Sequence, residues 1–319
     1  MEFLVKKTNE LTQTEKKQIC NLFFNVFEKE KTLENFDKQF LNTLKGYSYH
    51  GLIVNEDNLI VGCYSSIPMK YEYYNNNYVF GLSVDTMIAE EYRGSPFNLK
   101  KIANLVYELM LKDNIFFVFG FPNDNVYLVR KKILKWKDIG RLDYFILPIK
   151  IGSIKPNLKI FNFITILMSR FMKLLSKNNF IFEGYKKNIE KLNNEDFFKY
   201  RYSLFNGSYK IIKYNEFYFT YKVDVYESIN AAYLIDVNIM CKQNFDYAVK
   251  YIIENEKNID VILFVGKIDF KPLTLFKVPK KYIPKTVYMA GKILDESKIK
   301  EDIFDINNWN VNLSNFDVL

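Results

Sequence analysis

Residues 93–98 have the composition of a phosphate-binding turn. Arg93 and Gly94 follow an apolar, strand-like run, and a strongly amphipathic helix pattern begins at Pro96. A tight turn between a strand and a helix directs main-chain N–H groups, and the positive end of the helix dipole, toward one point. Because phosphate oxygens are negatively charged and accept hydrogen bonds, this turn is predicted to bind a phosphate group. The alternative interpretation of Arg93 is a surface arginine that pairs with a preceding glutamate.

The helix after this turn has the most regular pattern in the chain. One helical face carries its apolar residues, which are Leu99, Ile102, Leu105, Val106, Leu109 and Met110. Ser95 is a suitable N-cap, and proline is well tolerated at the first helical position. The apolar run over 115–119 then predicts a buried strand. A strand–helix–strand crossover of this kind predicts that the two strands are parallel.

The remaining patterns predict an α/β fold in two parts. Further helices are predicted over 12–27, 33–44, 125–134 and 161–174, and strands over 3–5, 51–54, 59–64, 78–88, 136–139 and 141–149. Short polar turns between the early strands predict an antiparallel meander. A second crossover over 232–265 lacks an Arg-Gly turn, which indicates a degenerate copy of the first. We therefore predict domains at 1–150 and 188–319, joined by a helical connector over 151–187.

Composition excludes several kinds of site. The chain has 319 residues, of which 49% are hydrophobic, so it can bury a substantial core. A net charge of +8 suits anionic partners, but the lysines are dispersed among acidic residues and form no nucleic-acid-binding arm. Three widely spaced cysteines and a single histidine provide neither a disulfide framework nor a metal site. These features, with an N-terminus unlike a signal peptide, predict a cytoplasmic protein that binds no metal and no nucleic acid.

The most membrane-like segment covers residues 160–169, between Lys159 and Arg170. It is far shorter than the run of about 20 apolar residues that a bilayer-spanning helix needs. No stable membrane insertion is therefore predicted. The segment is expected to pack on protein, and the alternative is a helix that lies on a membrane surface.

Around the phosphate-binding turn, the sequence resembles the GNAT superfamily of N-acyltransferases. Residues 91–94 (Glu-Tyr-Arg-Gly) match the usual run into that family's pyrophosphate loop. The loop pattern is Arg or Gln, two residues, Gly, one residue, then Gly or Ala; here Pro96 and Asn98 occupy the last two defined positions. The resemblance covers residues 1–150. It implies a mixed, mostly antiparallel sheet flanked by helices, followed by a second, degenerate GNAT-like domain that helps to form the acceptor cleft.

The resemblance also implies that the protein binds acetyl-CoA or another acyl-CoA. The cofactor contacts that it implies come from Met87, Ile88, Arg93, Gly94, Ser95, Phe97, Asn98, Asn123 and Asn125. In the family, the strand before the loop contacts the pantetheine and the thioester oxygen through its main chain. Proline has no N–H to donate, but Phe97 and Asn98 still offer main-chain N–H groups, and the Asn98 side-chain amide is a further donor.

Acyl transfer to an amine requires a neutral amine and a donor for the oxyanion. The candidates for a general base are Asp85, Asp124 and His50, with Asp85 first because it lies on the strand nearest the thioester. Both Asp85 and His50 also fit structural roles, and proximity alone can carry much of an aminolysis. The family's thiolate-protonating tyrosine aligns with Lys131, and Tyr127, one turn earlier, is the substitute candidate.

Residues 119–125, 135–140 and 309–317 resemble a GNAT subset from bacterial surface-polysaccharide gene clusters. This resemblance implies a small-molecule amine acceptor, namely a nucleotide-linked amino sugar. Tandem GNAT folds also occur in Fem-type transferases that use aminoacyl-tRNA, and this donor is the second hypothesis. The third is a non-catalytic interaction or lipid-surface protein on a decayed fold, with residues 163–171 as its contact surface. The oligomeric state is left open.

Overall fold

Two β-sheets carry the fold, and helices cover their faces. The computed structural model describes residues 1–182, 184, 186–193, 195–202 and 208–316. In chain order the strands are β1 (Glu2–Lys7), β2 (Tyr49–Val54), β3 (Ile60–Tyr73), β4 (Asn76–Ile88), β5 (Phe117–Gly120), β6 (Lys137–Arg141), β7 (Asp143–Pro148), β8 (Ile189–Lys191), β9 (Tyr209–Tyr214), β10 (Phe217–Tyr226), β11 (Ile229–Val237), β12 (Val261–Gly266), β13 (Phe276–Lys277), β14 (Tyr288–Ile293) and β15 (Trp309–Asn310). The helices are α1 (Gln13–Phe27), α2 (Leu33–Leu41), α3 (Pro96–Lys112), α4 (Asp124–Lys132), α5 (Ile151–Ile154), α6 (Asn162–Leu175), α7 (Glu195–Tyr202) and α8 (Lys242–Asn255).

The first sheet begins with an antiparallel meander of β1 to β4, as predicted. Its full order is β1-β2-β3-β4-β5-β14-β6, and the short strands β8 and β15 extend it from β3. Strand β3 continues to Tyr73 rather than ending at residue 64, because it pairs with β4 up to the hairpin turn. That turn has positive φ at both Tyr74 and Asn75, which matches the twist of the flanking strands. The predicted mixed, mostly antiparallel α/β architecture is confirmed.

Both predicted crossovers are present. β4 and β5 are parallel and joined by α3, and β11 and β12 are parallel and joined by α8. The apolar face of α3, from Leu99 to Met110, packs on one side of the first sheet. On the other side, α1 and α2 bury residues such as Ile19, Phe36 and Phe40 against the same sheet. The helix that leaves the predicted phosphate turn is therefore held by a large apolar interface.

The two sheets exchange strands. β14, from the C-terminal part of the chain, lies between β5 and β6 in the first sheet. β7, from the N-terminal part, belongs to the second sheet, whose order is β13-β7-β12-β11-β10-β9. The change from one sheet to the other therefore does not occur at residue 150, where the sequence predicts the end of the first domain.

A buried ion pair joins the sheets beside this exchange. Lys191 of β8 donates to Asp236 of β11 at 2.9 Å, and their side chains are 3% and 1% exposed. The Asn312 side chain donates to the other carboxylate oxygen of Asp236 at 2.8 Å. A buried charge is tolerated only when it is paired and hydrogen-bonded, so this cluster fixes β8, β11 and the C-terminal segment relative to one another.

Helix α6 carries most of the apolar segment at 160–169. The segment packs on protein, as expected, through buried Thr165 and Ser169 and partly buried Met168. Most of its other apolar side chains stay in solvent, and Phe163 and Leu174 of the same helix are 70% and 77% exposed. Within the described residues, no helix has both the length and the apolar character needed to cross a membrane.

Candidate functional site

A cleft opens where β4 and β5 diverge. The two strands pair only at Gly81–Val118 and Leu82–Phe119. Just beyond, Asp85 and Thr86 form a bulge opposite one residue of β3, and Asp85 adopts a positive φ of 43°. A bulge bends its strand, so β4 turns away from β5 and leaves a cleft of about 450 Å³ between them.

The second sheet supplies the opposite wall of this cleft. Tyr144 of β7 and Tyr233 of β11 line it, together with Lys285 in the loop that leads into β14. Burial raises the pKa of both tyrosines, so each hydroxyl stays protonated and can donate a hydrogen bond. In the part of the chain that the structure describes, neither hydroxyl has a hydrogen-bond partner and Lys285 forms no ion pair. The cleft therefore combines walls from both sheets with two donors and a cation.

Arg130 places a buried positive charge at the point of divergence. It lines the cleft from α4, and its Nη2 donates to the Thr86 hydroxyl at 3.1 Å. Its guanidinium lies 4.5 Å from the centre of the Trp136 ring. Gly120 makes room for it, because a Cβ at that position would lie 2.7 Å from Arg130 Nη1. No pattern of residue types in the sequence predicts a site role for Arg130, although Gly120 lies within residues 119–125, which carry part of the resemblance.

Asp85, the first candidate base, also lines the cleft. Its Oδ2 pairs with the Lys31 ammonium, and both side chains are nearly buried. Lys31 in turn donates to Gln39 at 2.7 Å and lies 3.9 Å from the centre of the Phe23 ring. The geometry brings the Asp85 carboxylate to the cleft and holds one of its oxygens in an ion pair. Asp124, the second candidate, is exposed at the start of α4 and does not line the cleft.

The predicted phosphate turn ends in helix α3, with Ser95 as the N-cap and Pro96 at the first helical position. Across the described chain, the main-chain N–H groups of Gly94, Ser95 and Phe97 meet no acceptor. Arg93 Nε donates to the Ile88 carbonyl at 2.8 Å. These unbonded donors at a helix N-terminus are the arrangement that binds anions.

A second cleft, of about 370 Å³, adjoins this turn. Arg93 and Ser95 line it on one side, and Lys132 and Leu128 of α4 line it on the other. Neither Glu90 nor Glu91 pairs with Arg93, and within the described residues Arg93 and Lys132 form no ion pair. The interpretation of Arg93 as a partner of a preceding glutamate therefore fails, and two cations remain available to an anion here.

Asn98 is engaged within the turn itself. Its N–H donates to Ser95 O at 3.2 Å, and its buried side-chain amide donates to Tyr92 O at 3.1 Å. Asn98 therefore stabilises the turn, and the suggestion that its amide donates to a ligand loses its support. Asn123 caps α4 by accepting from Val126 N at 3.0 Å and lines the larger cleft, whereas Asn125 is exposed and lines neither cleft.

Tyr127, the candidate for thiolate protonation, and Lys131, at the position aligned with the family's tyrosine, lie outside the larger cleft. Both contact Asp138, Tyr127 at 2.8 Å and Lys131 at 2.6 Å, and the Tyr127 ring stacks on Tyr288. Burial and the Asp138 carboxylate raise the pKa of Tyr127. The face of α4 that meets this cleft instead carries Val126 and Arg130. Tyr127 and Lys131 each lie one residue after a residue of α4 that lines the cleft, and so they face a different side of the helix.

His50 is enclosed in the core. Its Nε2 lies 2.9 Å from Thr8 Oγ1 and its Nδ1 lies 2.9 Å from Ser65 Oγ, and the Phe36 and Phe40 rings pack against it. Burial, with smaller contributions from two lysines, lowers the pKa of His50 to about 3. A fully buried imidazole has no route to a bound acceptor, so the structure argues against the predicted role as a base.

Replacing His50 by glutamine is expected to flatten the acid dependence of stability. In the unfolded chain the imidazole takes up a proton near its ordinary value of 6.5, whereas the folded protein keeps it neutral down to about 3. The unfolded state therefore binds more protons in this window, and stability falls as the pH decreases, by on the order of 2 kcal/mol at about pH 5. Urea unfolding across that pH range measures the effect, and an unchanged slope in His50→Gln would contradict it.

Comparison with known proteins supports the architecture. No protein-family model matches the chain, and no curated protein matches its sequence. Among the solved structures that do match, three examples each cover 92% of this chain. They are a protein of unknown function and probable N-acyltransferase from Enterococcus faecalis V583 (14% identity, TM-score 0.56, 73% of that chain), a GCN5-related N-acetyltransferase from Anabaena variabilis ATCC 29413 (12%, 0.58, 73%) and one from Kribbella flavida (10%, 0.59, 72%). At these identities the likeness establishes a GNAT-like fold.

Proposed function

We propose that this chain is an N-acyltransferase that moves an acyl group from acetyl-CoA or another acyl-CoA to the amine of a small acceptor. The observation that carries the proposal is the turn at residues 93–97. It combines three unbonded N–H groups, two available cations and an adjoining cleft. A diphosphate matches this set of donors because it has several acceptor oxygens and two negative charges.

The space around Gly94 supports a ligand that approaches the main chain closely. Gly94 has no positive φ, and a Cβ added there would meet no atom within 4 Å. Neither backbone conformation nor packing therefore requires glycine at this position. A bound diphosphate would explain the glycine, because a side chain at position 94 would separate the phosphate oxygens from the N–H groups.

Apolar residues beside the turn suit the pantetheine arm of coenzyme A. Leu128 and Val129 of α4 remain 55% and 38% exposed, and Ile88, Leu99 and Ile133 complete the same wall. Exposed apolar side chains that line a cleft lose contact with water when a ligand covers them. When bound, acyl-CoA supplies an activated thioester.

The main chain of β4 offers a further donor. Ala89 N–H donates to Val61 O in β3. Met87 lies two residues before Ala89, so its peptide groups also point toward β3. Because antiparallel strands alternate the direction of their peptide groups, the Ile88 peptide points away from β3, toward the gap. The Ile88 carbonyl accepts from Arg93, which agrees with this direction. Of the two residues predicted to contact the thioester arm, we therefore assign the donor role to Ile88 N–H.

Arg130 and Asp85 are proposed as the charged groups of the reaction site. Arg130 sits where β4 and β5 diverge, so its guanidinium can stabilise negative charge that develops on an acyl oxygen or a departing thiolate. The free oxygen of Asp85 can accept a proton from the acceptor amine or position that amine. Arg130 replaces the tyrosine that the resemblance implied.

The opposite wall suits a sugar nucleotide as acceptor. Lys285 provides a cation for a phosphate, and Tyr144 and Tyr233 provide hydroxyl donors and apolar ring faces. Together with the resemblance to polysaccharide-cluster proteins, these features support a nucleotide-linked amino sugar, acylated in the cytoplasm during surface-polysaccharide synthesis.

Mass spectrometry of the acceptor tests the proposed activity. The protein is incubated with acetyl-CoA and amines that include nucleotide-linked amino sugars, free amino sugars and amino acids. We expect an acetylated sugar nucleotide, with kcat lowered about 100-fold or more in Arg130→Met. Lys131→Met, which removes the neighbouring charge outside the cleft, is the matched control and should retain activity. Transfer from aminoacyl-tRNA, without any response to coenzyme A, would instead support the Fem-type alternative.

A further inference from the structure

Helix α6 exposes most of its apolar residues, unlike a typical surface helix of a globular protein. The small polar residues Thr165, Ser169 and the C-cap Ser176 are buried, and Met168 packs against the core of the second sheet. The apolar residues that point outward and are most exposed are Ile160, Phe163, Ile164, Leu167, Phe171 and Leu174. A surface helix ordinarily buries its apolar face, so this face requires a cover that the described chain does not provide.

The charged side chains of the chain segment that carries this face are all positive. Residues 151–182 contain five cations, Lys155, Lys159, Arg170, Lys173 and Lys177, and no aspartate or glutamate. At 3.6 residues per turn, Arg170 and Lys173 fall along one border of the apolar face. Lys173 lies 3.6 Å from Glu254 of α8, which is a weak, solvent-exposed pair. The face therefore joins an apolar stripe to a positively charged border.

A loop from the reaction cleft extends this surface. The exposed ring of Tyr282 lies 5.4 Å from Lys155 Nζ, and Lys280 and Lys281 precede it. Lys285, only three residues later, lines the cleft. An aromatic residue among lysines suits the boundary between water and lipid.

We propose that α6 and the loop at 280–285 form a docking surface for the headgroup region of an anionic bilayer. The apolar stripe of α6 enters the boundary between headgroups and acyl chains, and the lysines and Arg170 contact the anionic headgroups. A second copy of the chain fits less well, because joining two such faces would bring together borders that carry Arg170 and Lys173 and are both positive. The docking surface uses no residue of the phosphate turn and shares only Lys285 with the proposed acceptor wall, so vesicle binding and acyl transfer are tested separately.

Docking also has a consequence for the acceptor. Because the loop at 280–285 belongs to both the docking surface and the cleft wall, a docked molecule holds its cleft close to the bilayer. Amine acceptors carried on a membrane lipid are thereby within reach, in addition to acceptors in solution.

Co-sedimentation with vesicles tests the docking surface. The full chain is mixed with vesicles of phosphatidylcholine alone, or of phosphatidylcholine with phosphatidylglycerol, at low and high salt. We expect binding to the anionic vesicles that weakens with salt. Phe163→Ser with Phe171→Ser, and separately Lys159→Glu with Arg170→Glu, should each weaken that binding by more than about tenfold.

The matched control replaces equally exposed apolar residues elsewhere. Val225→Ser with Tyr226→Ser, at the hairpin between β10 and β11, should leave vesicle binding unchanged. All these positions are exposed, so the melting temperature of each variant should stay close to that of the parent protein. Absence of vesicle binding by the parent would overturn the proposal. So would a dimer in vesicle-free buffer that Phe163→Ser with Phe171→Ser converts to a monomer, because the cover would then be a second copy.

Discussion

Coenzyme A affinity is expected to fall by at least about two orders of magnitude when Arg93 and Lys132 are both replaced by alanine. Each side chain lines the cleft beside the turn and is available to a phosphate, and a hydrogen bond to a charged group contributes about 1.5–3 kcal/mol. Isothermal titration calorimetry with coenzyme A measures the change. The melting temperature without ligand should fall only slightly, because neither side chain forms an ion pair and the variant loses only the exposed hydrogen bond from Arg93 to the Ile88 carbonyl.

The control for this variant removes the same charge elsewhere. Lys17→Ala with Lys112→Ala deletes two exposed lysines, one on α1 and one at the far end of α3, and should change affinity little. Gly94→Ala separates binding from folding more sharply. It adds one methyl group that meets no protein atom, so stability should be unchanged or slightly higher, while coenzyme A binding weakens. If Arg93→Ala with Lys132→Ala and Gly94→Ala both bind coenzyme A as tightly as the Lys17→Ala, Lys112→Ala control, the turn does not bind the diphosphate.

Asp236→Ala is expected to destabilise the protein by about 3–5 kcal/mol. The substitution leaves the Lys191 ammonium buried without its carboxylate, and it also removes the acceptor of the Asn312 amide. The free energy of unfolding in urea measures the loss. Because this cluster joins β8 of the first sheet to β11 of the second, we also expect loss of the cleft that both sheets line.

A double variant distinguishes the buried charge from the packing. Lys191→Met with Asp236→Leu replaces the pair by apolar side chains of similar size, so no uncompensated charge remains. It should be clearly more stable than either single variant, with a coupling energy of the sign expected for an ion pair. If the double variant loses as much stability as the sum of the single ones, the two side chains act independently and the ion pair is not the cause.

The features that the sequence could predict are local. The turn at 93–96 and the amphipathic α3 follow from residue types within one segment, because caps, proline position and the 3.6-residue period act over a few residues. The meander of β1 to β4 follows from short turns in the same way. The parallel pairing of β4 and β5 follows from the apolar strand on each side of a helix, because a chain that crosses over through a helix re-enters the sheet in the same direction.

The cleft could not be predicted, because it depends on residues that are distant along the chain. Tyr233 reaches it only through the second sheet and Lys285 only through the loop before β14, a strand that joins the first sheet from the C-terminal part of the chain. The position of Arg130 in the cleft depends on the bulge at Asp85 and on the space beside Gly120. No pattern of residue types predicts either feature. Periodicity identifies the apolar face of α6 without its direction, so the sequence leaves open both packing on protein and contact with a membrane surface.

The exchange of β7 and β14 determines how the molecule can be divided. A fragment that stops after the first 150 residues would have no strand between β5 and β6, and the remainder would lose the partner that β12 and β13 share. We therefore expect that neither half folds as a self-sufficient unit, and that neither sheet is complete until most of the chain has been synthesised. The gap between the two sheets is therefore fixed by the chain segments that run from one sheet to the other.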